Sequence, residues 1–168
     1  MNRRTITGIA FILLIVVLAS CKKDNPYEEE LESIRNYLKS NGIEAEPTES
    51  GLYVIELIEG TGDKPLIGDT VEVWYTGRFL NGNIFDSNIS SGNVFTFPVG
   101  GGYVIEGWDE GITHIKEGGK SLMIIPSALA YGTIGTYGIP GYTPLVFEVK
   151  LDKIYPGPSH ITQKAYQE

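Results

Sequence analysis

The sequence predicts an α+β fold, in which an antiparallel sheet of about five strands curves around one short helix. Two observations support this prediction. From Leu52 onward the apolar residues follow strand periodicity, as in Val71, Val73 and Tyr75, which recur at a period of two. Only one helical pattern interrupts the strands, at about residues 105–115.

The predicted strands are short and follow one another along the chain. Alternate residues from Leu145 to Leu151 share one face of the last strand, as expected when one face of a sheet is buried. In chain order the predicted strands are residues 52–58, the segment from Thr70 to Tyr75, the segment from Phe95 to Val99, residues 121–125 and residues 145–151.

The short helix carries one of the two tryptophans. Its apolar residues recur at i, i+3, i+7 and i+10 and therefore share one face: Ile105, Trp108, Ile112 and Ile115. We therefore expect Trp108 to face the sheet. Asp109 and Glu110 fall elsewhere on the helix, where we expect them to be solvated and not catalytic.

A second helix is predicted before the sheet, from about Pro26 to Ser40. Asn25 suits the N-cap and Pro26 the first helical position. Four apolar residues form one stripe: Tyr27, Leu31, Ile34 and Leu38. The stripe favours packing on the flank of the domain over a dimerisation helix, because four positions are few for a helix–helix interface.

The first residues resemble an export signal. Arg3 and Arg4 precede an apolar run from Ile9 to Leu18, which is shorter than the about 20 residues of a membrane span. The run ends in Leu-Ala-Ser-Cys21, which resembles the lipobox of bacterial lipoproteins. An ordinary signal peptide is the alternative. We expect acylation of Cys21, with palmitate among the chains, and anchoring to the cell envelope, most simply at the outer membrane.

Composition excludes several classes of function. The single cysteine, Cys21, rules out an internal disulfide and a cysteine-based metal site. The net charge is −8, or −10 once Arg3 and Arg4 are removed, which disfavours nucleic acid as a partner. The predicted organisation is a signal peptide (1–20), a lipidated cysteine with tether and helix (21–50), the main domain (51–155) and a polar tail (156–168).

The chain offers little conventional chemistry. His114 and His160 stand outside any triad pattern, and we expect both at the surface. The segment after Asp86 lacks the glycine and glutamate of a calcium loop. Gly100-Gly101-Gly102 lacks the lysine of a phosphate loop. We therefore expect neither metal nor cofactor.

Aromatic residues are the unusual feature that remains. Some of these side chains must fill the hydrophobic core. Others could line a ligand site, because a concave aromatic cup is a common form of apolar ligand site. They lie on different predicted elements: Tyr75, Phe85, Phe95, Phe97, Trp108, Tyr131 and Phe147.

Five ordered motifs lie between Gly68 and Ile154: Val73-Trp74-Tyr75-Thr76-Gly77, Phe85-Asp86-Ser87, the run from Val104 to Gly111 (VIEGWDEG), Ala130-Tyr131-Gly132, and Leu145-Val146-Phe147-Glu148-Val149. Together they resemble the motifs of the FKBP-type peptidyl-prolyl cis-trans isomerases. The resemblance implies a five- or six-stranded antiparallel sheet wrapped around a short helix. That fold agrees with the one predicted from periodicity.

The resemblance also implies a role for each pocket residue. Trp108 would be the floor under the proline ring, and the aromatic walls would be Tyr75, Phe85, Phe95 and Phe147. Val104 and Ile105 would form the rim, with the Ile105 N–H donating to a substrate carbonyl. The Tyr131 hydroxyl would bind the ligand, and Asp86 would be the one polar side chain inside, near Tyr75. We assign catalysis to Asp86, Tyr131 and Phe85.

Three positions depart from the family pattern. Ser91 stands where many members have arginine, which puts an ion pair of Asp86 in question. Residues 135–144 replace the familiar I-P-P-N-A-T loop, although Ile139 is expected to keep a place on the rim. Tyr103 replaces a residue that is often polar.

The expected function is rotation of X-Pro bonds during the folding of exported proteins. The expected ligands are proline-containing polypeptides and macrolides such as FK506, and the lipid on Cys21 is expected to supply contact with the membrane. Two alternatives remain open at this point: a lipid-anchored chaperone or binding module with little turnover, and a surface-attached protein that uses the fold only as a scaffold.

Overall fold

The structure, a computed structural model, describes residues 25–158. The predicted signal peptide, Cys21, His160 and most of the predicted tail lie outside these residues. The elements in chain order are α1 (Pro26–Ser40), β1 (Tyr53–Ile58), β2 (Thr70–Phe79), β3 (Ile84–Ser87), β4 (Phe95–Pro98), α2 (Glu106–Gly111), β5 (Lys120–Ile125), β6 (Gly135–Thr136), β7 (Ile139–Pro140) and β8 (Leu145–Tyr155). Short 3-10 turns follow α2 (Ile112–His114) and β5 (Ser127–Leu129).

The strands form the predicted antiparallel sheet. It has six strands in the order β1-β5-β8-β2-β3, with β4 also paired to β2. The two longest strands, β2 and β8, lie side by side at the centre, where Tyr75 pairs with Val149 and Gly77 with Phe147. The predicted fold class is confirmed, and the ladder between β2 and β8 brings two of the predicted wall residues together.

Both faces of the sheet are covered. The inner face, which contacts α2, carries the main core around Trp108, Ile112 and Phe147. The outer face carries a smaller core, in which Ile34 and Leu38 of α1 pack against Ile124 and Val146. Because successive strand residues point to opposite faces, Phe147 and Val146 serve different cores from adjacent positions.

Helix α1 starts and ends where the sequence predicts. The Asn25 side chain accepts a hydrogen bond from the Tyr27 N–H, as expected of an N-cap. The predicted apolar stripe is wrong at its start, because Tyr27 is exposed and Glu30 is buried in its place. Packing on the flank is confirmed, and the helix lies against the outer face of the sheet.

Two features of the sheet differ from the predicted set of strands. β3 is an additional edge strand, and its pairing with β2 contains a bulge between Gly77 and Arg78. A small hairpin, β6–β7, occupies the segment that replaces the family loop. Short strands with few apolar residues give too weak a periodic pattern to be recognised in a single sequence. Within residues 25–158, no helix is long and apolar enough to span a bilayer.

Candidate active site

The floor of the candidate site is Trp108, which lies in the middle of α2. Only 3% of this residue is exposed, and the inward orientation predicted from helical spacing is confirmed. Glycine on either side allows the close approach of α2 to the sheet. A Cβ at Gly107 would overlap Ile125, and one at Gly111 would overlap the sulfur of Met123. The indole can therefore sit deep in the inner face.

Aromatic rings surround this indole edge-on. The ring of Tyr75 lies 5.1 Å from that of Trp108, the ring of Phe147 lies 5.2 Å away and the ring of Phe95 lies 6.0 Å away, all in T-shaped geometry. Edge-to-face pairs are favourable by about 0.5–1.5 kcal/mol each beyond their burial. The three walls come from β2, β8 and β4, so the sheet itself fixes the shape of the cup.

The cup encloses about 200 Å³, below the roughly 300–1,000 Å³ of sites for drug-sized ligands. This volume suits one small ring. Its lining brings together eight of the ten residues that the sequence assigned to the site: Tyr75, Asp86, Phe95, Val104, Ile105, Trp108, Tyr131 and Phe147. Tyr103 also lines it, although the sequence marked this residue only as a departure from the family pattern.

Phe85 and Ile139 are the two predicted site residues that the structure places outside the lining. Phe85 falls at the bulge of β3, and its ring packs behind the wall, 5.5 Å from the ring of Phe147. Ile139 is buried, with 7% exposed, because the β6–β7 hairpin turns it into the main core. Phe85 therefore supports the wall, and the predicted rim position of Ile139 is wrong.

The rim is fixed by an acid that we expected to be solvated. Asp109 accepts hydrogen bonds from the Gly100 and Gly102 N–H groups, each at 2.9 Å. This contact ties the loop before Val104 to α2. Glu110 similarly accepts from the Ser50 hydroxyl at 2.6 Å. The prediction that both acids are merely solvated is wrong, because their partners lie elsewhere in the chain.

Asp86 lies at the mouth of the cup. The residue as a whole is exposed, yet its side chain lines the cup and accepts a hydrogen bond of 2.7 Å from the Tyr75 hydroxyl. Burial, together with this hydrogen bond, raises the pKa of the Tyr75 phenol well above its ordinary range. Tyr75 is therefore a neutral donor at physiological pH.

No cation pairs with Asp86 among the residues that the structure describes. Ser91, which takes the place of the family's arginine, donates to the Asn88 carbonyl at 2.8 Å. Asn88 is buried, and its side chain bonds the backbone of Val73, Tyr75 and Asn93. The segment after Asp86, which was compared with a calcium loop, is thus a structural turn that holds β3 beside β2.

Two donors at the cup are free of protein partners. Within residues 25–158 neither the Ile105 N–H nor the Tyr131 hydroxyl has an acceptor. Ile105 is the N-cap of α2 and half-buried, while Tyr131 is 38% exposed. The site can therefore offer two hydrogen bonds to a bound carbonyl from an otherwise apolar surface.

Within residues 25–158, no three acidic, histidine or cysteine side chains gather as potential metal ligands. His114 is exposed as predicted.

A larger cavity of about 530 Å³ lies between the β2–β3 turn and the segment after β7, and it is lined by no acidic or basic side chain. The aromatic cup is the candidate active site because its lining brings together eight of the ten predicted residues.

The comparison with known families agrees with this geometry. Residues 62–152 match the family model of the FKBP-type peptidyl-prolyl cis-trans isomerases. Since the match covers more than half of the chain, the protein belongs to this family and is a peptidyl-prolyl cis-trans isomerase.

Individual relatives are similar over 62–79% of the chain. The FK506-binding protein of Neisseria meningitidis serogroup B is 44% identical over 106 residues, which are 62% of this chain and 97% of the relative. FkpA of Escherichia coli K12 is 39% identical over 122 residues, which are 73% of this chain but only 44% of that protein. The crystal structure of a peptidyl-prolyl isomerase from Pseudomonas syringae has a TM-score of 0.66 and 34% identity, covering 79% of this chain and 98% of that one.

Proposed function

We propose that the aromatic cup around Trp108 is the catalytic site of this isomerase and binds the proline ring of an X-Pro segment. The observation that carries the proposal is a buried aromatic floor with aromatic walls, beside two unpaired donors, the Ile105 N–H and the Tyr131 hydroxyl. An apolar ring fits the cup, and carbonyls on the adjoining backbone would satisfy the donors.

The reaction requires rotation and no bond cleavage. The barrier to rotation about an X-Pro bond is roughly 20 kcal/mol, because twisting removes the amide resonance. The planar amide is strongly dipolar, whereas the twisted amide resembles a separate amine and ketone. An apolar cup disfavours the planar form relative to the twisted one, and each 1.4 kcal/mol or so of such difference is tenfold in rate.

Each polar group has a proposed part in this step. The Ile105 N–H and the Tyr131 hydroxyl would hold carbonyls of the substrate, so that the proline ring stays fixed while the preceding carbonyl swings. Asp86, at the mouth of the cup, would act on the dipole of the moving amide directly and through the neutral phenol of Tyr75. No nucleophile is required.

An isomerisation assay on a proline tetrapeptide tests this proposal. We expect Asp86→Ala to lower kcat/KM about tenfold, in line with a loss of roughly 1.4 kcal/mol of transition-state stabilisation, while thermal unfolding stays unchanged. Asp152→Ala, an exposed carboxylate on β8 away from the cup, serves as control. Equal rates for wild type and Asp86→Ala would remove Asp86 from the site. A wild-type rate no faster than the uncatalysed one would favour a binding module with little turnover.

We also propose that FK506-like macrolides compete with peptides for the cup. The proposal draws on the name of the Neisseria relative and on the matching aromatic lining. A cup of about 200 Å³ would take only one ring of such a ligand. Competitive inhibition of the wild-type protein, with macrolide binding lost in Trp108→Ala but retained in an Asp152→Ala control, would support a shared site.

We further propose that the protein is an exported lipoprotein that assists the folding of proteins of the bacterial cell envelope. The support is the sequence before α1: an apolar run and a lipobox-like Cys21, five residues before the first residue of α1, Pro26. Five residues extend at most about 18 Å, so the body would lie close to the membrane. Unaided proline isomerisation takes tens of seconds, so envelope proteins would benefit from a catalyst.

Metabolic labelling with palmitate tests the anchor. We expect label and membrane association in the wild-type protein and loss of both in Cys21→Ala, with isomerase activity unchanged. Labelled but soluble protein, or unlabelled protein in the membrane fraction, would contradict the proposal. Separation of inner and outer membranes then tests the proposed outer-membrane location.

A further inference from the structure

Glu30 is a buried carboxylate on a helix whose other buried residues are apolar. It is 3% exposed, and the other buried residues of α1 are Ile34 and Leu38. A buried carboxylate needs donors. Ser127 supplies two donors to Glu30: its N–H donates to Oε1 at 2.5 Å, and its hydroxyl donates to Oε2 at 2.6 Å. Neither residue has a part in the proposed mechanism.

Ser127 in turn holds the backbone on both sides of Tyr131. Its carbonyl accepts from the Ala130 N–H at 2.9 Å and from the Gly132 N–H at 2.7 Å. The backbone is irregular here, with Ala130 at φ −125° and ψ −108° and Gly132 at φ 64°. Without a regular ladder, these two hydrogen bonds help to determine where the Tyr131 side chain leaves the chain.

The apolar contacts of α1 are separate from this polar contact. Ile34 and Leu38 pack on Ile124 and Val146 of the outer face. Glu30 lies one helical turn before Ile34, and it contacts the loop after β5. An apolar side chain would suffice to pack α1 on the sheet, whereas burial of a carboxylate carries a large desolvation cost. The polar contact therefore points to a role other than docking.

We propose that Glu30 is a positioning residue for Tyr131. It fixes Ser127, and the Ser127 carbonyl fixes the backbone from which the Tyr131 hydroxyl reaches the cup. The inference rests on the proposed role of that hydroxyl in substrate binding. It makes α1, which lies outside the family-matched residues 62–152, part of the working enzyme.

A double-mutant cycle on the full chain in detergent tests the inference. Glu30→Gln keeps the side-chain shape but turns an amide NH₂ toward one donor of Ser127. We expect it to lower kcat/KM for a proline tetrapeptide about fivefold, mainly through KM, since a loss of about 1 kcal/mol is a factor of five. In a Tyr131→Phe background the same change should cost less than about twofold. Glu32→Gln, exposed on α1, should have no effect in either background.

Each result bears on the inference. Equal losses from Glu30→Gln in both backgrounds would show a purely structural role and overturn it, while leaving the role of Tyr131 intact. Wild-type activity of Tyr131→Phe would refute the proposed role of that hydroxyl and the inference with it. Should Glu30→Gln fold poorly, Ser127→Ala removes only the hydroxyl donor and should give the same pattern with a smaller loss.

Amide hydrogen exchange supplies a readout that a general loss of stability does not mimic. Glu30→Gln should speed exchange at Ala130 and Gly132 and leave the central amide of Val149 unchanged. Unchanged exchange at Ala130 and Gly132 would overturn the inference, as would an equal acceleration at all three amides.

Discussion

The hydroxyl of Tyr75 donates to the Asp86 carboxylate across 2.7 Å, and this hydrogen bond joins the wall of the cup to its mouth. Tyr75 also touches three other rings of the site, those of Phe95, Trp108 and Phe147. One residue therefore couples the apolar part of the cup to Asp86, the one carboxylate that lines it within residues 25–158. A change to Tyr75 or Asp86 should therefore alter both the titration of the Tyr75 phenol and the kcat/KM of the enzyme.

The first prediction concerns the ionisation of Tyr75. Burial and the Asp86 hydrogen bond raise the pKa of its phenol, so in the folded protein it stays protonated above pH 10. The unfolded chain loses this proton from about pH 10. The unfolded state then binds fewer protons, and the free energy of unfolding should fall as pH rises beyond 10. The fall should be shallower in Tyr75→Phe, as measured by denaturant unfolding at several pH values.

The same phenol offers a direct spectroscopic check. Phenolate absorbance is titrated against pH in the wild type and in Tyr75→Phe. The difference between the two curves reports the ionisation of Tyr75 alone. Asp86→Asn removes the anionic acceptor and should lower the pKa of the Tyr75 phenol. A pKa that does not move in Asp86→Asn would contradict the hydrogen bond between these residues.

The second prediction concerns the support behind the wall. Phe85→Ala removes a ring that packs against Phe147 and Phe79. We expect a loss of about 1–3 kcal/mol in the free energy of unfolding, less than for a fully buried Phe, and about tenfold lower kcat/KM. Ile84→Ala, which is exposed on the same strand, should change neither. Full activity in Phe85→Ala would show that Phe147 keeps its place without this support.

The third prediction concerns the approach of α2 to the sheet. Alanine favours helix by up to about 1 kcal/mol over glycine, yet a Cβ at Gly107 would overlap Ile125. We expect Gly107→Ala to destabilise the protein by about 1–3 kcal/mol and to displace Trp108, with lower kcat/KM and altered tryptophan fluorescence. Glu106→Ala, exposed on the same helix, is the matched control. A stabilised Gly107→Ala protein would contradict the close approach.

The fourth prediction concerns the loop before the rim. Asp109→Ala leaves the Gly100 and Gly102 N–H groups without their acceptor. We expect KM to rise several-fold with little change in kcat, and the free energy of unfolding to fall by about 1–2 kcal/mol. Asp109→Asn keeps one acceptor oxygen and should lie between wild type and Asp109→Ala. Effects on kcat alone would show that the loop does not shape the rim.

Elements with strong periodicity or specific end residues could be predicted from the sequence. The bounds of α1 follow from Asn25 and Pro26, and the inward orientation of Trp108 follows from its spacing to Ile105 and Ile112. Both signals are local, because each depends on residues within a few turns of one helix.

Contacts between distant segments could not be predicted in this way. Glu30 stands in a run of three glutamates, and its partner Ser127 lies 97 residues further on. Asp109 binds backbone N–H groups, which carry no signal in the sequence. For Phe85, a one-residue bulge in β3 decides which way the ring points, and no periodic pattern reports such a shift.

The placement of α1 against the outer face has a consequence for how this enzyme can be divided. Residues 62–152 are the part shared with the family, but a fragment cut to these limits would lose β1 and α1. It would expose Ile124 and Val146, and Val146 is next to Phe147, a wall of the cup. The region shared with the family is therefore shorter than the region that packs together. A truncated protein made for experiments should keep residues 25–61 and should not start at residue 62.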